Sequence, residues 1–213
     1  SLEREPPTAH REDALFRREE ARAARSQMIK LFSLKQEKEA EKASPSGDGK
    51  IAPGLIRMQK DVSELRDNDK GVSIDFYNGK DDLMNFKVKV SPDEGYYRKG
   101  QFVFDVKVPK TYPHDAPKVL CETRVYHPNI DMEGHVCLNI LREDWKPVLT
   151  IQSVIHGLQF LMLEPNADDP LNKEAANLLA TDGNKFEKLV RSTFRGGSMV
   201  VAGQSYVFPQ FPS

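Results

Sequence analysis

Residues 127–150 read HPNIDMEGHVCLNILREDWKPVLT. Pro128, Asn129, Asp131, Gly134 and Pro147 interrupt any helical or alternating pattern, so the stretch reads as a long connection. What flanks it decides the fold. Upstream, apolar residues alternate as they do in strands. Downstream, they recur at helical spacing. Strands followed by helices make an α+β domain, because an α/β domain would interleave the two. The connection also gathers reactive groups: His127, His135, Cys137 and the chain's one tryptophan, Trp145.

Four strands are predicted upstream. VSIDFY (72–77) is the first. NFKVKV (85–90) sets Phe86, Val88 and Val90 against Lys87 and Lys89, and FVFDVKV (102–108) sets Phe102, Phe104, Val106 and Val108 on one face. KVLCE (118–122) is the fourth. The turn-formers SPDEG, RKG and TYPHDAP separate them, which suits an antiparallel meander. Ahead of the strands, Leu55, Met58, Val62 and Leu65 predict a helix over 54–66. After the connection, Thr150 is placed to cap a helix with Ile151, Val154, Ile155, Leu158 and Leu161 inward. Asn172 is placed to cap 173–180. Asp182 is placed to cap a last helix with Phe186, Leu189 and Val190 inward, stopped by RGG at 195–197. No βαβ rhythm, phosphate-binding glycine loop or internal repeat is present.

The rest of the chain divides by composition. Residues 1–27 are dense in Arg, Glu and Ala and are expected to be a disordered extension. In 28–53, Ile29, Leu31, Phe32 and Leu34 crowd together ahead of the linker ASPSGDGKIAP, which reads either as a docking peptide on a flexible tether or as an ordinary disordered tail with a few apolar residues. Residues 54–197 form the expected domain, and 198–213 are left as a tail.

Totals narrow the function classes. Lys and Arg number 31 and Asp and Glu 32, a net charge of −1, which gives no reason to expect nucleic-acid or membrane-surface binding. No apolar run approaches the ~18 residues of a membrane span. No charged-then-apolar leader opens the chain. The two cysteines, Cys121 and Cys137, are expected to be free thiols in the cytoplasm or nucleus.

Three chemistries fit the connection. Cys121, His127, His135 and Cys137 offer metal ligands, but their C-x5-H-x7-H-x-C spacing lacks the tight pairs of structural zinc sites. A cysteine hydrolase needs a histidine to make and orient its thiolate, and nothing singles out which histidine that would be. The third is acyl transfer through a thioester on Cys137. A thiol accepts an acyl group from another thioester at little free-energy cost, and a loop residue gives it access. A donor is then needed at the carbonyl oxygen when an amine attacks, and Asn129 has a suitable amide. Taken alone, Asn129 reads as a turn-former and Cys137 as a small buried hydrophobe.

In order over 112–172 stand YPHDAPKV, YHPNID, VCLNIL, a Trp-x-Pro, LTI, a Pro-Asn and DPLN. This array closely resembles the ubiquitin-conjugating enzyme family, over roughly 54–197. The resemblance implies a four-stranded antiparallel meander with flanking helices. It implies that Cys137 is the thioester carrier, that Asn129 is the oxyanion and loop-stabilising residue, and that Asp169 receives the incoming lysine. A carboxylate suits that task, because lysine arrives charged, with an ordinary pKa of ~10.4, and must lose a proton before it attacks. Helix-end capping ahead of Pro170 is the alternative reading of Asp169. His114, Pro147 and Val148 match the loops that face RING ligases, and Trp145 reads as a packing residue.

The peptide MIKLFSLKQ and the run from Cys121 to Ile151 are similar to the neddylation branch of that family, the RUB pathway of plants. The similarity implies that Ile29, Phe32 and Leu34 dock on a heterodimeric activating enzyme. The partners it implies are a ubiquitin-like modifier, a RING ligase and a cullin substrate. No metal or organic cofactor is implied. Residues 1–27 and 198–213 depart from the family pattern. A ubiquitin-loaded enzyme and a non-catalytic binding variant are the alternatives, and Cys137 argues against the second.

Overall fold

A computed structural model describes residues 52–65, 70–79 and 81–211. The expected docking residues Ile29, Phe32 and Leu34 lie outside these.

The first helix, α1, spans Pro53–Glu64, with Pro53 at its first turn where a missing N–H costs nothing. Four strands follow: β1 Val72–Phe76, β2 Asn85–Val90, β3 Phe102–Lys107 and β4 Lys118–Cys121. They form one antiparallel sheet in chain order. The register puts Val88 opposite Phe104 and Phe104 opposite Cys121, so the alternation of each strand lines up one apolar face. Phe86, Val88, Val90, Phe102, Phe104 and Val106 are buried on it.

Helix α2, Ile151–Leu163, packs on this face through Ile151, Val154, Ile155, Leu158, Leu161 and Met162. Its start follows from sequence: Thr150 accepts from the Ser153 amide, and Ser153 returns a bond to the Thr150 amide. Asn172 caps α3, Lys173–Thr181, and Asp182 caps α4, Gly183–Thr193, in the same way.

Two sequence expectations need correction. The RGG triplet does not end α4. That helix stops at Thr193, and Arg195 already pairs with Gln210. Residues 198–213, expected as a tail beyond the domain, carry most of a hairpin: β5 is Arg195–Val201 and β6 is Gln204–Gln210. It belongs to the packed unit. Val201 and Phe208 are buried in the core, the Phe211 amide bonds the Phe194 carbonyl at 2.8 Å, and the Phe211 ring meets Phe102 and Phe194. Apolar surface on Phe102 and Phe194 would otherwise face water, and covering it is what orders the segment.

The connection of 127–150 folds back onto the sheet. Gly134 has φ +93°, and a Cβ there would meet the Cys121 carbonyl oxygen at 2.2 Å. Only glycine lets the Gly134 carbonyl reach the Cys121 amide at 2.8 Å. That bond lays His135 beside Leu120, two residues before Cys137.

Candidate active site

His127 bonds the last turn of α2, and Pro128 and Asn129 bond the segment between α2 and α3. The His127 ring accepts from the Asn129 amide through Nδ1, so Nε2 carries the proton and donates to the Leu161 carbonyl at 3.0 Å. The Pro128 carbonyl accepts from the amides of Leu171 and Asn172, both at 2.9 Å. The Asn129 side chain bonds both backbone groups of Asn166: Nδ2 donates to its carbonyl and Oδ1 accepts from its amide, each at 2.9 Å. The Asn129 carbonyl accepts from the Cys137 amide at 2.8 Å. Asn129 therefore ties the backbone of Cys137 to the loop that carries Asp169.

His127 is fully buried and stacks on Tyr97. Burial pushes its pKa down to about 4, against a weaker pull upward from the Leu161 carbonyl. The folded protein thus holds a neutral ring. Between pH 6.5 and pH 4 the unfolded chain binds the proton that the fold refuses, so stability falls as pH falls through that window. The loss at pH 4 is about 3 kcal/mol. Urea unfolding of His127→Gln should show lower stability at pH 7 and a curve flatter than wild type by about that amount between pH 7 and 4. Parallel curves for the two proteins would remove His127 as the cause.

Cys137 does not lie open, as its loop position led one to expect. The residue is 8 % exposed. Arg142 Nη1 donates to its sulfur at 3.2 Å, the thiol faces Asp169 Oδ2 at 3.5 Å, and Arg142 Nη1 lies 3.8 Å from Asp169 Oδ2. The two charged side chains, themselves largely exposed, bridge over the sulfur. The thiol's pKa lies above its ordinary value: burial, the largest cause, raises it, Arg142 pulls it back and Asp169 adds to the rise. Asp169 does not cap a helix: α2 ends at Leu163 and Asn172 caps α3. It instead holds φ +50°, the left-handed region that an aspartate adopts at some cost, and faces the sulfur.

The other candidate ligands are engaged elsewhere. Cys121 is buried, donates to the Thr123 carbonyl at 3.1 Å, and has its thiol pushed up to about 12 by burial. His135 pairs with Asp131 at 2.7 Å. Among the described residues no three His, Cys, Asp or Glu side chains are grouped to hold a metal ion.

His114, Pro147 and Val148 lie on two neighbouring loops. Trp145, half-buried beside Tyr112, joins them by donating from Nε1 to the Pro113 carbonyl at 2.8 Å. Arg57 of α1 clamps the second loop from both sides of Val148, donating to the Pro147 carbonyl at 2.8 Å and to the Leu149 carbonyl at 2.7 Å. Val148 is left 78 % exposed. Behind the clamp sits Asp61, which is buried, pairs with Arg57 at 2.8 Å, accepts from the first amide of α2 and bonds the Tyr112 hydroxyl. Sequence reading missed Arg142, Asn166 and this Arg57–Asp61 clamp. The available signal was an acid on the same face as apolar Met58 and Val62.

The family model for ubiquitin-conjugating enzymes matches residues 57–194. A Drosophila melanogaster protein named Nedd8-conjugating enzyme UbcE2M is 52 % identical over 179 residues, 84 % of this chain and 96 % of that protein. An Arabidopsis thaliana protein named NEDD8-conjugating enzyme Ubc12 is 52 % identical over 187 residues, 86 % of this chain and 99 % of its own. The solved structure of S. cerevisiae Ubc12 superposes with a TM-score of 0.67 at 42 % identity, covering 81 % of this chain and 94 % of that one.

Proposed function

We propose a reaction from one premise: the chain belongs to the ubiquitin-conjugating enzyme family. It is a ubiquitin-like protein conjugating enzyme, and its modifier is NEDD8, as the names of its relatives indicate for themselves. Cys137 is the carrier. The observation that carries this is a thiol set between a cation and a carboxylate and held by its amide to Asn129.

Loading runs as follows. The Cys137 thiol loses its proton, and the thiolate attacks the carbonyl carbon of the modifier's terminal thioester on the activating enzyme. A bond from carbon to the Cys137 sulfur forms. The bond to the activating enzyme's sulfur breaks, and that sulfur keeps the electron pair and takes up a proton. In discharge a lysine loses its ammonium proton beside Asp169 and attacks the same carbonyl. The Cys137 sulfur leaves, and an isopeptide bond remains. A RING ligase seated on the loops of His114, Pro147 and Val148 would present a cullin lysine. Both cysteines are free, which suits work in the cytoplasm or nucleus.

The test of the modifier uses the amino-terminal peptide. Purified NEDD8 activating enzyme should load the protein faster than ubiquitin activating enzyme loads it with ubiquitin. Burying one Phe or Leu side chain contributes about 1.5–3 kcal/mol, and ~1.4 kcal/mol is a factor of ten. Phe32→Ala with Leu34→Ala should therefore raise the apparent KM for NEDD8 loading by one to several powers of ten, with Tm unchanged. Faster loading with ubiquitin, or normal NEDD8 loading by the double variant, would overturn the assignment of the modifier and leave the thioester chemistry standing.

A further inference from the structure

The site contains a conflict between its two half-reactions. Loading needs a thiolate on Cys137, and discharge needs a carboxylate beside the same sulfur to receive an ammonium. Asp169 Oδ2, 3.5 Å from the sulfur, favours the protonated thiol, because a thiolate there would face a like charge. Burial of Cys137 pushes the same way. Arg142 Nη1 meets both groups, at 3.2 Å from the sulfur and 3.8 Å from Asp169.

We infer that Arg142 is a catalytic residue of loading: its guanidinium carries the Cys137 thiolate beside Asp169, and it swings off the sulfur once that sulfur is acylated. This rests on the thioester reading of Cys137. Among the described residues, the charged groups that face the sulfur are Arg142 from the connection and Asp169 from the segment before α3, with Glu143 behind Arg142 at 3.7 Å from its Nε. An acylated sulfur cannot become a thiolate, so the charge that Arg142 stabilises during loading is gone once loading is complete. The new acyl group also needs the space above the sulfur. Arg142 is 53 % exposed and Asp169 79 % exposed at the side chain, so both can move outward without opening the core. Asp169 then faces the arriving lysine.

An arginine also fits better here than a histidine base would. Loading exchanges one thioester for another, so no strong base is needed, only a fixed positive charge that survives at any working pH. A histidine would add a titration of its own near neutrality.

The experiment measures the rate at which iodoacetamide alkylates Cys137 in the full chain as a function of pH, read on the Cys137 peptide by mass spectrometry. Arg142→Ala should move the inflection up by about one pH unit and slow alkylation at pH 7 by roughly 3- to 10-fold. Asp169→Asn should move it down. The double variant should return towards wild type, and Arg142→Lys should recover part of the shift. Single-turnover NEDD8 loading by Arg142→Ala should fall by a similar factor at pH 7, in kcat more than in KM, and recover at higher pH. Faster alkylation of Arg142→Ala at every pH with an unmoved inflection would mean that the side chain only covers the thiol, and would overturn the inference. Shifts of the same sign in Arg142→Ala and Asp169→Asn would overturn it too. The alkylation arm needs no activating enzyme, so it decides the role of Arg142 even if no modifier loads.

Discussion

Cys137→Ala should take up no modifier, and Cys137→Ser should take up one that resists thiol reductants and is released by alkali. The serine adduct is an oxyester, which lacks the sulfur leaving group and persists where a thioester would exchange. Cys121→Ser should load as wild type. The two thiols differ for physical reasons. Cys121 points into the sheet's inner face opposite Phe104, donates to the Thr123 carbonyl, and has its thiol pushed up to about 12, chiefly by burial with Glu122 adding to the rise and the Thr123 bond opposing it. At pH 7 such a group is thiolate in about one molecule in 10⁵, too few to attack. The Cys137 thiol is also raised by burial, but it has a cation on its sulfur that pulls it back and two exposed side chains for cover. Non-reducing gels after incubation with the activating enzyme, ATP and NEDD8 separate the outcomes. A reducible adduct on Cys137→Ala that disappears in Cys121→Ser would reverse the assignment.

Parts of this site were legible in the chain and parts were not, and locality divides them. Strands β2 and β3 alternate Phe and Val against Lys or Asp, and α2 announces itself by Thr150 followed by apolar residues at helical spacing. Each signal lies within a few residues of the element it sets. The β5–β6 hairpin has no such signal. Val200 and Val207 stay exposed while Phe208 is buried, and Gly196 and Gly197 read as a helix stop. Its order comes from Phe208 and Phe211 meeting residues over a hundred positions earlier, such as Phe102. The same holds at the candidate site. Cys137, Asn129 and Asp169 came from resemblance to a family motif. Asn129's partners could not be read, because they are backbone atoms of Asn166, and backbone atoms leave no trace in residue identity. Nothing next to Arg142 in the sequence marks it, because its setting depends on Asp169, 27 positions further on. Asp61 of α1 is 2 % exposed, held by Arg57, by Tyr112 and by the start of α2, two of which lie far from it in the chain.

Asn129→Ala should load almost normally and discharge to free lysine about 10²-fold more slowly, and the reason for that loss can be separated from its size. Two roles predict a similar magnitude. Removing one donor from an oxyanion costs roughly 10²–10³ in rate. Misplacing a reacting group by about 1 Å costs ~10². The geometry favours the second. Nδ2 and Oδ1 of Asn129 are both bonded to Asn166, which opens the loop that sets Asp169 on the sulfur. Alanine would remove both bonds that fix the Asn166 backbone. It would also let Asp169 drift. The double-mutant cycle with Asp169→Ala distinguishes the roles. If Asn129 acts by placing Asp169, the double variant should discharge within about threefold of Asn129→Ala, since the carboxylate it would misplace is already gone. If Asn129 donates to the oxyanion independently, the two defects should multiply. The pH profile offers a second handle: loss of Asp169's help should shrink as pH rises and more of the lysine is neutral, whereas loss of an oxyanion donor should persist. Multiplying defects, with an Asn129→Ala deficit that does not diminish at high pH, would show that the side chain leaves Asn166 during turnover and that its bonds in the free enzyme are those of a resting state.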